Sequence, residues 1–423
     1  MRWLRAVVVD ARPLRHRDFR LLYLGQTVTF AGSMITYVAI PYQVFRLTRS
    51  APAVGLLSLA ELVPLLLTAL AGGALADAVD RRRMVQATEA GLTLASAGLA
   101  ANALLAHPRL WVLYLGAALI AGLDGLQRPS LEALVPRLVP REELPGAAAL
   151  DSVRGTAGML AGPALGGLLI AGAGLPVAYT VDMATFAVSL AALGLLRAVP
   201  PPPGAERPSL RGVADGLRYA RSRAELLGSY VVDIVAMVFG MPIALFPAIA
   251  ARSGGAGTLG LLYAAPAAGA LLVSTASGWM GRVHRHGAAI LLAAAAWGAA
   301  VVGFGLAGPL WLALPLLAAA GGADMVSGMF RTTLWNQTIP DALRGRLASI
   351  EMLSYSIGPL LGNVEAGLVA GAFGVPASVV SGGLLCVAGV AVVGLALPAF
   401  RAYDARRPRP RPTRADALTG DGC

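Results

Sequence analysis

The chain has 423 residues, of which 57% are hydrophobic and only 13% are charged, and its mean hydropathy is +0.68. Soluble domains carry about 45–50% apolar and about 25% charged residues, so this composition excludes a soluble protein and predicts one that crosses a membrane several times. The net charge of +11 rests on 34 Arg, and the absence of Lys excludes ATP-binding P-loops, protein kinases and Schiff-base cofactors.

Long uncharged runs indicate membrane-spanning helices. No charged residue lies between Arg154 and Asp182 or between Glu365 and Arg401, and a helix needs about 20 apolar residues to cross a bilayer. Turn signals such as His107-Pro108 separate the runs. The pattern predicts an all-α integral membrane protein with twelve spans, at 19–44, 53–76, 84–105, 109–128, 147–172, 174–196, 224–251, 256–281, 287–307, 309–334, 344–370 and 374–400.

The Arg residues orient these spans. With both termini on one side, 29 of the 34 Arg lie on that side, and the positive-inside rule makes it the cytoplasmic side of the cell membrane. Because these Arg residues are scattered over seven short loops and termini, we do not interpret them as a nucleic-acid surface. We expect a monomer in the lipid bilayer that handles a small-molecule substrate and binds no nucleic acid.

A polar linker divides the chain into two similar halves. We assign residues 1–18 to a cytoplasmic segment, 19–196 to a six-helix bundle, 197–223 to a cytoplasmic linker with four consecutive prolines, 224–400 to a second six-helix bundle and 401–423 to a disordered basic tail. The halves share short sequences, since GPALGG in the first aligns with GPLLGN in the second and Pro140 aligns with Pro340. Parallel repeats of six spans are one architecture of secondary transporters.

The loop after the second span reads GALADAVDRRR, which resembles the signature G-x-L-a-D-r-x-G-R-[RK] of the major facilitator superfamily. The resemblance implies twelve helices in two pseudo-symmetric halves and a cytoplasmic gate closed by this motif. Ala78 and Asp80 depart from the signature, and a loop that only obeys the positive-inside rule is the alternative. The matching positions are Gly73, Leu75, Asp77, Arg81 and Arg82.

The fifth span carries GMLAGPALGG, which is similar to the antiporter motif G-x-x-x-G-P-x-x-G-G of the same superfamily. In that family the motif accompanies export, whereas the glycines alone could also form a packing seam between helices. Longer stretches, including VDMATFAVSLAAL, resemble the branch that contains the enterobactin exporter and macrolide efflux proteins. The Arg that drug/proton antiporters carry midway along the fourth span is absent. The motif positions are Gly158, Gly162, Pro163, Gly166 and Gly167.

Acidic residues inside a membrane are costly and therefore indicate function. The resemblance implies that spans 1, 4, 7 and 10 line the cavity, which favours Asp124, Asp233 and Asp324; Glu61 is a further candidate for binding a proton or the substrate. We favour Asp233 because no Arg lies at helical spacing deeper in its span. Asp182, on an expected peripheral span, is interpreted as structural.

Several acids have Arg residues at helical spacing. Asp124 and Arg128 either neutralise each other or act in transport, Asp324 is two turns from Arg331, and Asp151 with Arg154 is interpreted as an ion pair at the gate.

Polar and soft side chains also follow helix faces. The polar stripe on span 1 indicates either a water-filled cavity or hydrogen bonds between helices, and the face of span 7 that holds Asp233 either contacts a bulky amphipathic cargo or packs in the core. The stripe on span 1 consists of Gln26, Thr29, Ser33 and Tyr37, and the residues near Asp233 are Tyr230, Met237 and Met241.

These patterns predict a secondary exporter of a small amphipathic molecule, such as a siderophore, a drug or a secondary metabolite. We expect it to work by alternating access as a proton antiporter, with no cofactor besides the ion gradient and no metal site. A secondary importer of a nutrient is the alternative. A membrane-embedded enzyme is disfavoured because the sequence has no metal-ligand cluster, no nucleophile elbow and no intramembrane His.

We expect Asp77→Asn to leave the protein folded but to reduce transport, because the substitution removes a charge that stabilises one gated state. The measurement is transport by the purified variant in liposomes, and a wild-type rate would contradict this role for Asp77.

Overall fold

The computed structural model describes residues 10–197, 218–339 and 344–406, with side chains at all of these positions except 69–78 and 344–354. In these ranges all regular structure is helical, and the long helices follow the twelve predicted spans in order, which confirms the predicted fold class. We number them spans 1 to 12. They are Arg17–Thr48, Ala51–Ala78, Arg81–Leu104, Leu110–Leu138, Leu144–Ala173, Leu175–Gly194, Ala224–Phe239 with Phe246–Ser253, Ala256–Thr275, His286–Leu306, Leu310–Thr338, Arg344–Phe373 and Val375–Ala396.

The outer surface of the helices is apolar, as a lipid-facing surface must be. In the described residues, ten helices are long and apolar enough to cross a membrane. Large apolar side chains such as Leu94 and Leu292 are more than 70% exposed. Trp111 and Trp311, at the first turns of spans 4 and 10, are also exposed, as is typical of aromatic residues at a membrane–water interface.

Glycine and proline separate adjacent helices in both halves in the same way. Gly174 and Gly374 have φ angles of 86° and 88°, a left-handed region that favours glycine. Each ends one span and begins the next, and Pro176 and Pro376 stand in the first turn that follows, where a missing N–H costs no helical hydrogen bond. Similar sequences therefore build similar corners 200 residues apart.

Span 7 is interrupted, although its sequence predicts one continuous helix over 224–251. The first part ends at Phe239, and the second begins at Phe246 after a short 3₁₀ turn. Pro242 has no N–H to donate and Gly240 has a low helix propensity, so the chain bends between them. Two other spans compensate: the Trp297 indole donates to the Gly240 carbonyl at 2.6 Å, and the Asn363 side chain accepts from the N–H of Ala244 at 3.0 Å.

The chain forms two compact units that differ from the two bundles assigned from the sequence. The first unit consists of residues 1–49, 59–208 and 250–264, so it includes the start of span 8. Its buried clusters join spans 1, 3, 4 and 6 through residues such as Leu22, Val85, Leu134 and Leu193. The start of span 8 lies against span 5, where Gly167 and Gly260 leave no room for side chains.

The second unit consists of residues 50–58, 209–249 and 265–423, so it includes the start of span 2. Its largest buried cluster contains Tyr230, Ile290, Trp335, Cys386 and Phe400. The start of span 2 lies against span 11 at Gly55 and Gly367, which approach as closely as the glycine pair of the first unit. The central linker and the tail lie mostly outside the described residues, at 198–217 and 407–423.

Three glycines of the fifth-span motif, Gly158, Gly162 and Gly166, form one face that packs on span 1. A Cβ atom at Gly158 or Gly162 would overlap a side chain of span 1, and one at Gly166 would lie tightly against the Ile35 backbone. Small residues allow such close helix approach in membranes, where packing and not the hydrophobic effect drives helix association. The contacts are Gly158 with Phe30, Gly162 with Met34, and Gly166 with Ile35.

We expect Gly162→Ala to destabilise the protein by about 1–3 kcal/mol, because its Cβ would overlap the Met34 Cβ, which has little freedom to move. Gly155→Ala and Gly172→Ala, on the same span, are matched controls because a Cβ there meets open space. Thermal denaturation in detergent measures the difference. Equal stability of Gly162→Ala and the two controls would show that this face does not pack as described.

Candidate functional site

A buried ion pair joins spans 7 and 10 inside the second unit. The Arg331 guanidinium on span 10 contacts the Asp233 carboxylate on span 7, and the two side chains are 2% and 1% exposed. A charge buried in a bilayer is stable only when it is paired, so each of these residues requires the other. The ion pair therefore fixes the packing of the two helices as well as the local charge.

A second carboxylate, from Asp324, approaches the same guanidinium. Its Oδ1 atom lies 3.8 Å from Arg331 Nη2, and its side chain is 39% exposed. Asp324 is two helical turns before Arg331, a distance that the long Arg side chain spans by lying along its own helix. Two carboxylates share one guanidinium, so the group has one negative charge when both acids are ionised.

The exposed side of this group lies at a cavity of about 510 Å³ in the second unit. Asp324 and Arg331 both line it, and the Tyr355 ring lies 5.6 Å from the guanidinium carbon of Arg331. Such a cation–aromatic contact stabilises the guanidinium. The other lining residues are Ala270, Met325, Gly328, Met329, Thr332 and Thr333.

Asp233 has no Arg at helical spacing in its own span, and the structure shows that an Arg from another span pairs with it. The prediction considered only residues at helical spacing on span 7, whereas the partner comes from span 10, about 100 residues later in the chain. Asp324, which the sequence pairs with Arg331, is the more exposed of the two acids. The spacing of Asp324 and Arg331 was the one sequence signal for this group.

The residues around Asp233 pack inside the second unit. The rings of Tyr230 and Trp335 stack with centroids 5.1 Å apart, and Met237 is buried against the backbone of Gly358. These contacts match the alternative in which the face of span 7 that holds Asp233 packs in the core. Met241 lies in the break of span 7 and is half-buried.

Two fully buried acids of the first unit are held by uncharged donors. Oε1 of Glu89 accepts hydrogen bonds from Gln26 at 2.6 Å, Ser189 at 2.9 Å and Gln127 at 3.4 Å. Oδ2 of Asp182 accepts from Thr36 at 2.6 Å and Ser96 at 2.8 Å. These bonds join spans 1, 3, 4 and 6, which agrees with a structural role for Asp182.

The polar stripe of span 1 divides between two environments. Gln26 bonds to Glu89, and the Thr29 hydroxyl is buried and bonds to its own helix backbone. Ser33 is half-buried, and Tyr37 is 45% exposed. The N-terminal half of the stripe therefore matches the alternative of hydrogen bonding inside the bundle, and the end at Tyr37 is the more exposed one.

Asp124 and Arg128 do not form the hydrogen-bonded pair that their spacing suggested. Arg128 Nε donates to Glu132 one turn further along the helix, at 3.1 Å. Asp124 is exposed, and Arg128 and Asp182 act on it only at longer range. Two acids, Asp124 and Glu132, lie about one turn from Arg128 in the sequence, and Glu132 is the one that forms the hydrogen bond.

Tyr37, Tyr263 and Glu61 come together at the open end of the span 1 stripe. The Tyr37 and Tyr263 rings meet edge to face, with centroids 5.3 Å apart and planes at 75°. Glu61 is half-buried and acts electrostatically on both phenols. Among the described residues, no Arg or His forms an ion pair with Glu61.

The described part of the second-span motif caps helices. Arg82 donates to the carbonyls of Leu193 and Gly194, at the end of span 6, at 2.9 and 2.6 Å. Arg81 is buried and donates to the Ala133 carbonyl of span 4. Cations near helix C-termini are favourable because the carbonyls there have no helical partners. The side chains of Gly73, Leu75 and Asp77 lie outside the described residues.

Asp80 departs from the motif, and in the structure it begins a helix. Its side chain accepts from the N–H groups of Arg82 and Arg83 and caps span 3. An acid directly before a helix is a known start signal, and it was present in the sequence.

Asp151 and Arg154, on span 5, form the ion pair that their spacing predicts. Their side chains are 2.6 Å apart, and Arg154 also lies over the Phe30 ring.

Comparison with known proteins identifies the same architecture. A family model described as transmembrane secretion effector matches residues 10–420. Enterobactin exporters from Shigella boydii serotype 18 and from Escherichia coli O1:K1 are each 30% identical over 340 residues, which cover 78% of this chain and 80% of theirs.

Solved transporters share the fold at lower identity. A nucleoside transporter, NupG, superposes with a TM-score of 0.72 at 12% identity, covering 91% of this chain and 99% of its own. A bacterial homologue of the iron transporter ferroportin, solved in an inward-facing state, gives a TM-score of 0.69 at 17% identity and covers 92% and 99%.

We expect Arg331→Gln to destabilise the protein by about 3–5 kcal/mol, because it leaves two carboxylates without a cation. Adding Asp233→Asn to Arg331→Gln removes one of these charges and should restore part of the stability. Thermal denaturation of the two single variants, the double variant and the surface control Arg252→Gln measures the coupling. Purely additive losses would show that the pair does not stabilise the fold.

Proposed function

The chain belongs to the major facilitator superfamily, in its family of transmembrane secretion effectors, and we propose that it exports a small amphipathic molecule in exchange for protons. It is a multi-pass membrane transporter for a small-molecule substrate and not an enzyme. The proposed orientation places both termini in the cytoplasm, because most of the 34 Arg lie in the loops and at the helix ends of that side.

The observation that carries the exchange mechanism is the arrangement of Asp233, Arg331 and Asp324. One guanidinium serves two carboxylates, and Asp324 is the one that reaches the cavity. When Asp324 is protonated, the ionised Asp233 carboxylate balances the Arg331 guanidinium. When Asp324 loses its proton, the three residues together carry one net negative charge. The two protonation states therefore favour different arrangements of spans 7 and 10, which is the condition for protonation to shift a conformational equilibrium.

This geometry moves the proposed proton carrier from Asp233 to Asp324. Asp233 is 1% exposed and in close contact with Arg331, so its carboxylate is held in the charged form and has no open path. Asp324 is 39% exposed and further from the guanidinium, so it exchanges protons with the cavity. In this proposal, the buried pair of Asp233 and Arg331 has a structural role, and the accessible Asp324 binds and releases the proton.

The direction of transport is supported by the relatives and by the fifth-span motif. The relatives are named as exporters of enterobactin, and the glycines of the motif form the close contact between spans 1 and 5. Import of a nutrient is the alternative. Uptake by everted vesicles but not by right-side-out vesicles, with enterobactin and tetraphenylphosphonium as probes, would support export, and the reverse pattern would establish import.

We expect Asp324→Asn to abolish accumulation driven by a pH gradient in proteoliposomes while downhill exchange of the same probe continues, because the amide cannot release a proton. Proton release on adding the probe to detergent-solubilised protein should be lost in this variant and retained in Glu365→Gln, a control in span 11.

Loss of proton release in Asp233→Asn but not in Asp324→Asn would return the assignment to Asp233. The absence of proton release from the wild-type protein, while transport proceeds, would exclude proton antiport.

A further inference from the structure

The open end of span 1 carries a second polar site, separate from the acids around Arg331. Tyr37 is 45% exposed, and the buried Tyr263 meets it at nearly a right angle. Two rings at a right angle form two walls of a corner. Their arrangement leaves an open side, because Tyr37 is not covered by its neighbours.

Helix geometry places Glu61 at the same depth as Tyr37. Spans 1 and 2 are joined at Arg49 and Ser50. Tyr37 lies 11 residues before Thr48 and Glu61 lies 10 residues after Ala51, so each is about 15 Å from the turn along its helix. The electrostatic effect of Glu61 on both phenols agrees with this shared depth.

The charge of Glu61 is not balanced by a cation of the described chain. Arg154, on the facing span 5, is held by Asp151 and by the Gln26 carbonyl and lies over the Phe30 ring. Phe30 is two turns from Tyr37, about 10 Å along span 1. A carboxylate this deep in a membrane requires a positive partner or a proton, and a cation bound here would be such a partner beside two aromatic rings.

We propose that Tyr37, Tyr263 and Glu61 form a subsite for an organic cation with an aromatic or apolar body. Aromatic faces attract cations through the ring quadrupole, and the attraction strengthens when water is excluded. The carboxylate supplies the opposite charge, and the corner between the rings accepts the apolar part. The proposal rests on the exporter assignment above and specifies the cargo class that this site selects.

The test uses two probes of the same shape and opposite charge, tetraphenylphosphonium and tetraphenylborate, with the full-length protein in detergent. We expect the wild type to bind the cation more tightly than the anion. Glu61→Gln should weaken binding of the cation about tenfold or more and leave binding of the anion unchanged or stronger. Titration calorimetry, with empty micelles as the blank, measures both affinities.

Further variants separate the contributions of the rings and the acid. Tyr37→Phe keeps the ring and should bind the cation nearly as well as the wild type, whereas Tyr37→Ala should weaken binding. Glu365→Gln removes an acid from span 11 and should change neither affinity. If Glu61→Gln does not fold, Glu61→Ala removes the same charge, and the two Tyr37 variants test the ring.

Equal binding of the two probes by the wild type, or unchanged cation binding in Glu61→Gln, would overturn the subsite. Because the assay needs no gradient, it is independent of proton exchange. Selective cation binding without proton-driven transport would support the subsite and exclude the antiport. Proton antiport without selective cation binding would support the antiport and exclude the subsite.

Discussion

Every polar group inside a bilayer must find its partner within the protein, and this constraint explains the main features of the structure. The break in span 7 frees backbone groups that water cannot reach. Trp297 donates to the Gly240 carbonyl, and Asn363 accepts from the N–H of Ala244. The interruption is therefore stable only because two other spans supply side chains at the right height. The stability of an interrupted membrane helix therefore depends on the neighbouring helices as well as on its own sequence.

The same constraint sorts the acids of the chain by role. Glu89 and Asp182 are fully buried, and several hydroxyl or amide donors hold each of them. Asp233 is equally buried but bonds to a guanidinium. Glu61 and Asp324 are more accessible. Buried acids that accept hydrogen bonds or an ion pair from neighbouring spans hold helices together, and the more accessible acids are suited to receive protons or cargo.

The sequence predicted the helices and their corners well because these depend on local physics. Glycine at a left-handed φ followed by proline marks the corners at Gly174 and Gly374, and both follow from short-range sterics. The partner of Asp233 was not predicted, because Arg331 is distant in sequence and spacing reports contacts only within one helix. Arg128 shows the same limit, since Asp124 and Glu132 are each four residues away and spacing alone does not select between them.

The two halves retain one scaffold but have diverged in charge. Trp111 and Trp311 begin spans 4 and 10, and Asp124 and Asp324 follow at the same spacing of 200 residues. Arg331, however, corresponds to Leu131, so Asp124 lacks the guanidinium that lies beside Asp324. Arg128 acts on Asp124 only at longer range and bonds to Glu132 instead. A duplicated scaffold can therefore assign cargo binding to one unit and proton exchange to the other, because a single substitution in one copy changes its charge without changing its helices.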